Sequence, residues 1–223
     1  MKRVGYVRTL PIFRHLTASR VSRLARASSD EYYRKGAALF RQGAEANYIW
    51  IVVKGWVHLV RMPSEDDHSH AVVLFTVTPS EALCGISALD ADAYSMSGVA
   101  ATDCRALRIP AKTFNEAVTH EALFAYDVLR LYTRRMRQIA EQYGAMAEPV
   151  SQRIIRAILR LREQFGDTIP MTHRELAQMS WTTTESAIRA IRQLKHRGLL
   201  AGARGQLTIK QAENLERLLK VQG

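Results

Sequence analysis

With 223 residues, 47% of them hydrophobic, and a formal net charge of +11, the chain is long enough for two modest cores, too apolar to be disordered and basic enough to favour a polyanionic partner. No apolar run approaches the ~20 residues of a membrane span, and the opening MKRVGYVRTLPIF lacks the apolar stretch of a signal peptide. The two cysteines are far apart and supply neither a disulfide framework nor a four-thiolate metal site, so a cytoplasmic protein without a membrane partner is expected.

Residues 10–27 (LPIFRHLTASRVSRLARA) read as an amphipathic helix, with Thr17 as a cap and Val21, Leu24 and Ala25 as a narrow apolar stripe. From Tyr32 the period changes. Leu39-Phe40, Tyr48–Val53, Val57–Val60 and Val72–Val77 are short β-rich runs punctuated by Gly36, Gly43, Gly55 and Pro79, the pattern of an antiparallel roll or barrel. Between two of them lies MPSEDDHSH (62–70). Its histidines and carboxylates could ligate a metal, but a solvated hairpin tip has the same composition, and the tip is the simpler account. A further strand is expected over Val99–Ile109, broken at Thr102-Asp103, with Pro110 starting a short helix.

From about His120 the helical pattern becomes long. Ala122, Leu129, Met136 and Tyr143 fall seven apart and interleave with Ala125, Tyr132, Ile139 and Met146. Two such series over more than three heptads form a coiled-coil seam, so Leu129, Tyr132, Met136, Ile139, Tyr143 and Met146 are expected at a homodimer interface, with Val128 and Leu131 turned back onto the roll. Pro149 should break this helix, making Ala147–Val150 a hinge. Residues 151–165 form another amphipathic helix, ending at Gly166-Asp167. From Pro149 onward 13 lysines and arginines face 6 carboxylates, a net +7, which leaves 19 against 15, a net +4, for the first 148 residues.

Within that basic third, Thr172–Glu175 and Thr182–Glu185 each spell TxxE, the capping-box pattern, before two short apolar-periodic helices. The first should bury Leu176, Ala177 and Met179, and the second Ala187, Ile188, Ile191 and Leu194. That leaves Thr184, Glu185, Arg189, Arg192 and His196 on an outer face, as in a helix-turn-helix made for the major groove. Gly198 closes the second helix. Leu199–Ala201, the turn Gly202-Ala203-Arg204-Gly205 and Gln206–Ile209 then read as a wing, followed by a short helix over Gln211–Val221. An ordinary helical hairpin could share part of this pattern, but not the caps, the basic face and the wing together.

Pro11-Ile12-Phe13, the run Lys35 to Gly43 (KGAALFRQG), Ile49 to Gly55, the long helix into Val150-Ser151-Gln152-Arg153-Ile154, and Thr182 to Arg189 (TTTESAIR) together resemble the CRP/FNR family of dimeric transcription regulators, along nearly the whole chain. The resemblance implies an α+β fold: an N-terminal cyclic-nucleotide-binding-like antiparallel β-roll (1–118), a dimerisation helix and hinge (119–148), and a C-terminal winged helix (149–223). It implies double-stranded DNA, a second copy of the chain and RNA polymerase as partners. Glu185 and Arg189 stand where the family places its base-reading pair, Thr184 occupies another base-facing position, and His173, Arg192, His196 and Arg204 are candidates for phosphate contact. Trp181 occupies the turn position where the family has glycine. Because a bulky side chain disfavours positive φ, the turn is expected to differ or the indole to cover the junction.

The same resemblance marks an effector pocket at Cys84, Gly85, Ile86, Tyr94, Ser95, Ile139 and Ala140, and there the chain departs from its relatives. Ile86 replaces the glutamate that meets the ribose, Tyr94-Ser95 replaces the Arg-Ser pair that grips the cyclic phosphate, and Ile139-Ala140 replaces the Thr-Ser pair at the adenine. Without a cation the phosphate loses charge-assisted hydrogen bonds of about 1.5–3 kcal/mol each, which disfavours cyclic AMP. A haem branch has a histidine two residues after the cysteine, where this chain has Ile86, so haem is disfavoured as well, and the iron–sulfur branch needs four cysteines. The small-molecule effector is left unassigned. A haem-based sensor, a module whose output is a protein contact, and ligand-free DNA binding are the alternatives. No GxSxG, HExxH or P-loop is present, so no enzyme is expected.

Overall fold

A computed structural model describes residues 2–61, 72–83, 85–203 and 205–220. Contacts divide the chain into two compact units, residues 1–68 with 74–139 and residues 69–73 with 140–223. The first opens with helix α1 (Lys2–Thr9), a 3-10 turn at Pro11–Phe13 and helix α2 (Ala18–Ala27), so the expected 10–27 helix begins only at Ala18. Thr17 is its N-cap in backbone conformation, without a side-chain capping bond. Strands β1 (Ser29–Tyr33), β2 (Ala38–Phe40), β3 (Tyr48–Lys54), β4 (Val57–Arg61), β5 (Val72–Val77) and β6 (Ala82–Leu83) follow. Helix α3 (Gly85–Asp90), strands β7 (Ser97–Ala100) and β8 (Cys104–Pro110), and helices α4 (Ala111–His120) and α5 (Ala122–Gly144) come next.

Two four-stranded antiparallel sheets make the roll, in the orders β1-β8-β3-β6 and β2-β7-β4-β5. Period-two alternation gives the first sheet two buried faces. Ile49 and Ile51 of β3, with Leu107 and Ile109 of β8, join Phe13, Leu24, Phe114, Phe124 and Val128 in a core beneath the helices. Trp50, Val52, Cys104 and Ala106 turn the other way, toward Phe40, Leu59 and Tyr94 inside the roll. Each large side chain so buried contributes about 1.5–3 kcal/mol.

The polar strand β1 carried no apolar alternation, yet it pairs with β8 over five residues, and Asp30 accepts from Arg105 Nε at 3.0 Å. The 62–70 loop and Cys84 lie outside the described residues.

The second unit contains α6 (Val150–Phe165), β9 (Thr168–Ile169), α7 (His173–Met179), α8 (Thr184–His196), β10 (Leu200–Ala201), β11 (Leu207–Ile209) and α9 (Ala212–Lys220). The long helix stops at Gly144, ahead of the expected break at Pro149. The pre-proline residue Glu148 is driven into extended backbone (φ −78, ψ 155), so Pro149 serves as the N-cap of α6 rather than as a helix interruption. Ile154, Ile155, Ile158 and Leu161 of α6 are buried beneath α7, α8 and a three-stranded sheet ordered β10-β11-β9.

Phe40 packs 4.8 Å from Trp50 and 4.7 Å from Tyr94 between ring centroids. Gly98 is the residue that admits it, since a Cβ there would lie 2.4 Å from Phe40 Cε1. Gly98→Ala should therefore destabilise the roll by about 1–3 kcal/mol, measured by denaturant unfolding. Gly5→Ala, in open space on α1, should be neutral or slightly stabilising.

Candidate nucleic-acid interface and effector pocket

Helix α7 starts as its sequence demands. Thr172 Oγ1 accepts from Glu175 N at 3.2 Å, and Glu175 Oε2 accepts from Thr172 N at 2.6 Å, a complete capping box. The second helix differs from expectation by one residue. Its N-cap is Thr183, whose hydroxyl oxygen accepts from Ser186 N at 3.2 Å, so Thr182–Glu185 is not a capping box. The shift releases Glu185 from capping and leaves it exposed in the first turn of α8. Ala187, Ala190, Ile191 and Leu194 form the buried stripe, while Ile188 is half-buried rather than fully inward, as its place at the edge of the stripe requires. Glu185, Arg189, Arg192 and His196 stand exposed on the opposite side, with Thr184 half-buried at the helix start.

The turn between α7 and α8 does not differ as one arm of the expectation for Trp181 had it, and the indole Nε1 is buried, in line with the other. The residue takes φ +51, the left-handed conformation usually left to glycine, and Thr182 N donates to Ala177 O at 3.0 Å, the long-range bond of a Schellman turn. Arg153 Nη1 of α6 donates to Trp181 O at 2.8 Å and holds the strained peptide in place. Nothing in the amino-acid pattern marked Arg153 for this duty.

Beyond α8, Gly198 (φ +71) returns the chain into β10, and β10 pairs with β11 through Leu200↔Ile209 and Ala201↔Thr208. A Cβ at Gly202 would lie 2.4 Å from Gln206 O, so the wing can close only on a glycine. Lys195 Nζ donates to Gly202 O at 2.9 Å, tying the recognition helix to the wing, a contact the sequence did not signal. Arg204 lies outside the described residues. His173, at the start of α7, has its pKa pushed below the ordinary imidazole value of 6.5 by burial and by the nearby Lys195 charge.

With Cys84 outside the described residues, the other six residues of the expected effector pocket do not share one environment. Tyr94 is 4% exposed and belongs to the core of the roll. Its hydroxyl donates to Tyr48 O at 2.8 Å and accepts from Tyr48 N at 3.1 Å, and its ring lies 5.8 Å from that of Trp50. A phenol this well satisfied is a wall, not a ligand grip. Gly85 begins α3, whose next residue, Ile86, is 53% exposed. Ser95 is exposed and its carbonyl accepts from Arg61 Nη1 at 3.2 Å, while Ile139 and Ala140 are exposed on α5. No helix of the described residues is long and apolar enough to cross a membrane.

A family model described as a cyclic nucleotide-binding domain matches residues 30–121, and one described as a Crp-like helix-turn-helix domain matches residues 152–218. The Cyclic AMP receptor protein of Thermus thermophilus is 25% identical over 210 residues, covering 93% of this chain and 96% of that one. Among solved structures, FixK2 from Bradyrhizobium japonicum superposes with a TM-score of 0.76 at 17% identity, covering 86% of this chain and 96% of that one. The c-di-GMP responsive global regulator CLP of Xanthomonas campestris gives 0.73 at 18% identity, covering 86% and 99%.

Arg189→Ala should weaken binding to a selected duplex by about 1–3 kcal/mol and relax preference at one base position, read by competition with scrambled duplexes. His173 is neutral at pH 7, so a phosphate beside it should draw a proton onto the ring. DNA affinity should then rise as pH falls toward the depressed pKa of the free ring, and His173→Ala should flatten that dependence relative to wild type.

Proposed function

This chain belongs to the CRP/FNR family of helix-turn-helix transcription regulators, and on that premise we propose that it acts as a homodimer that reads duplex DNA without cyclic AMP. In this reading residues 1–118 are a sensor-derived scaffold, 119–148 the dimerising stalk and 149–223 the DNA reader. Glu185 and Arg189 read base edges, with Thr184 beside them. His173, Arg192, His196 and Arg204 contact phosphates, and RNA polymerase is the protein partner.

The observation that carries the proposal is an apolar ridge left open along α5. Leu129, Met136 and Tyr143 recur every seven residues and are 62%, 72% and 72% exposed. Covering such side chains is worth about 1.5–3 kcal/mol each, and a second copy of the same ridge is the symmetric way to do so. The companion series needs revision. Tyr132 packs against the helix-facing core, whereas Tyr126, one turn before Leu129 on the open side, is exposed. The seam we propose therefore joins Tyr126 to Leu129, Met136, Ile139, Tyr143 and Met146. Paired about a two-fold axis, the recognition helices would meet half-sites one duplex turn, about 34 Å, apart.

Cyclic AMP is the ligand named in the Thermus relative. Here Tyr94 fills the position of the phosphate-binding arginine, and its buried hydroxyl is already engaged with the Tyr48 backbone. A haem-based sensor is disfavoured on similar grounds, because Ile86 occupies the place of the histidine ligand and is exposed.

Sedimentation and duplex binding of dialysed protein test the proposal together. Wild type should sediment as a dimer and hold its selected duplex equally well with and without added cyclic AMP. Met136→Glu should sediment as a monomer and fall to non-specific affinity. A monomeric wild type, or affinity that climbs on addition of cyclic AMP, would contradict the proposal.

A further inference from the structure

A cavity of about 380 Å³ opens on the flank of α5, between that helix, the Pro11–Arg14 segment and the turn before β6. It shares no residue with the expected effector pocket. Its apolar lining comes from Pro11, Ile12, Ala82 and Leu131, and five charged side chains border it: Arg14, Glu81, Asp127, Arg130 and Arg134.

The two carboxylates are already committed. Asp127 accepts from Arg14 Nη2 at 2.9 Å and from His15 Nδ1 at 2.7 Å. Glu81 Oε2 accepts from Thr78 N at 2.6 Å and from Thr78 Oγ1 at 2.9 Å, within its own turn. Arg130 and Arg134 are different: among the described residues neither has an ion pair or a hydrogen bond, and the nearest ring to Arg130 is Tyr126 at 5.9 Å. They stand one helical turn apart, a like-charge spacing that works against the helix unless an anion lies between them. Opposite them, Glu81 N donates to Thr78 O at 3.2 Å across Pro79 and Ser80, and Ser80 is at φ +75. That is a type II turn with serine where glycine is favoured, a strained wall held against the cavity.

We propose that this cavity binds a small organic phosphate, its anionic group bridged by the guanidiniums of Arg130 and Arg134 and its carbon skeleton against Ile12, Ala82 and Leu131. Guanidinium forks match phosphate oxygens in pairs, and the apolar wall distinguishes an organic phosphate from a free ion. Arg130 borders Tyr126 of the proposed seam, while Leu131 and Arg134 continue the site along the flank of α5.

Calorimetric titration of the full chain at constant ionic strength, with phenyl phosphate, inorganic phosphate and phenol as probes, tests the assignment. Phenyl phosphate should saturate one site per chain and bind more tightly than inorganic phosphate, and phenol should give no saturable heat. Arg130→Gln/Arg134→Gln should weaken phenyl phosphate by at least about tenfold. Its melting temperature without ligand should equal or exceed that of wild type, because a like-charge contact has been removed. Arg192→Gln, on the recognition helix, should leave the titration unchanged. The assignment is overturned if wild type gives no saturable heat with phenyl phosphate, if the double variant binds it as wild type does, or if Arg192→Gln is the variant that loses it. Because the readout is heat from a small probe, it does not depend on whether the chain selects a duplex.

Discussion

The recognition helix depends on a single strained peptide. Trp181 stands in left-handed backbone at the turn between α7 and α8, a conformation that costs an L-residue with a bulky side chain about 1–2 kcal/mol. The hydrogen bond from Arg153 to its carbonyl, about 1.5–3 kcal/mol for a charged donor, offsets that cost and fixes the direction in which α8 leaves the turn. Arg153 belongs to α6, so the aim of the DNA-reading face is set by the helix beneath it. The start of α6 is in turn pinned by the forked pair between Arg156 and Glu148, at 2.8 and 2.7 Å. That hydrogen bonding outweighs burial and lowers the Glu148 pKa. Turn, supporting helix and helix start thus form a chain of charge-assisted bonds from Glu148 to Trp181.

Helix α5 meets two opposed demands along one length. Phe124 and Val128 are buried, Phe124 lying 5.6 Å from both Phe13 and Phe114, while Leu129 and Met136 stand in solvent. Asp127, clamped by Arg14 and His15, fastens the inward side with charge where the apolar contact ends. A helix that satisfied only its own chain would have placed polar residues at 129, 136 and 143. That it keeps Leu, Met and Tyr there is a cost in solubility unless the surface is covered, which is the physical reason for preferring a paired stalk to a solitary one.

Most elements with a strong period were legible in the amino-acid sequence. The runs over β3, β4, β5 and β8 carried their β-rich composition openly, and the Thr172 box stated where α7 begins. What escaped notice had its signal elsewhere. Strand β1 is polar and is held by the neighbour it pairs with, Asp30 against Arg105 and Glu31 against Arg108. Two overlapping TxxE and TxxS spacings compete at Thr182 and Thr183, and local pattern did not choose between them; the chain takes the second, with Thr183 accepting from Ser186 N. Trp181 misled for a related reason: steric preference is a local quantity, whereas Arg153 and the Schellman bond act from other parts of the fold. Of the outer face, Glu185, Arg189, Arg192 and His196 were all placed correctly on the exposed side, since helical period alone decides that.

The interior of the roll bears on control. Phe40, Trp50, Tyr48 and Tyr94 stack with centroids 4.7 to 6.3 Å apart, and Trp50 Nε1 donates to Tyr33 at 3.1 Å. Edge and tilted ring pairs of this kind add about 0.5–1.5 kcal/mol each beyond the area they bury. A phosphate inserted at Tyr94 itself would have to displace the two bonds between its hydroxyl and the Tyr48 backbone and part these rings. A ligand shifts an equilibrium only by its differential affinity for the two states, and here the disruption falls on the bound state. The aromatic cluster therefore gives the roll a packed, hydrogen-bonded interior from its own side chains.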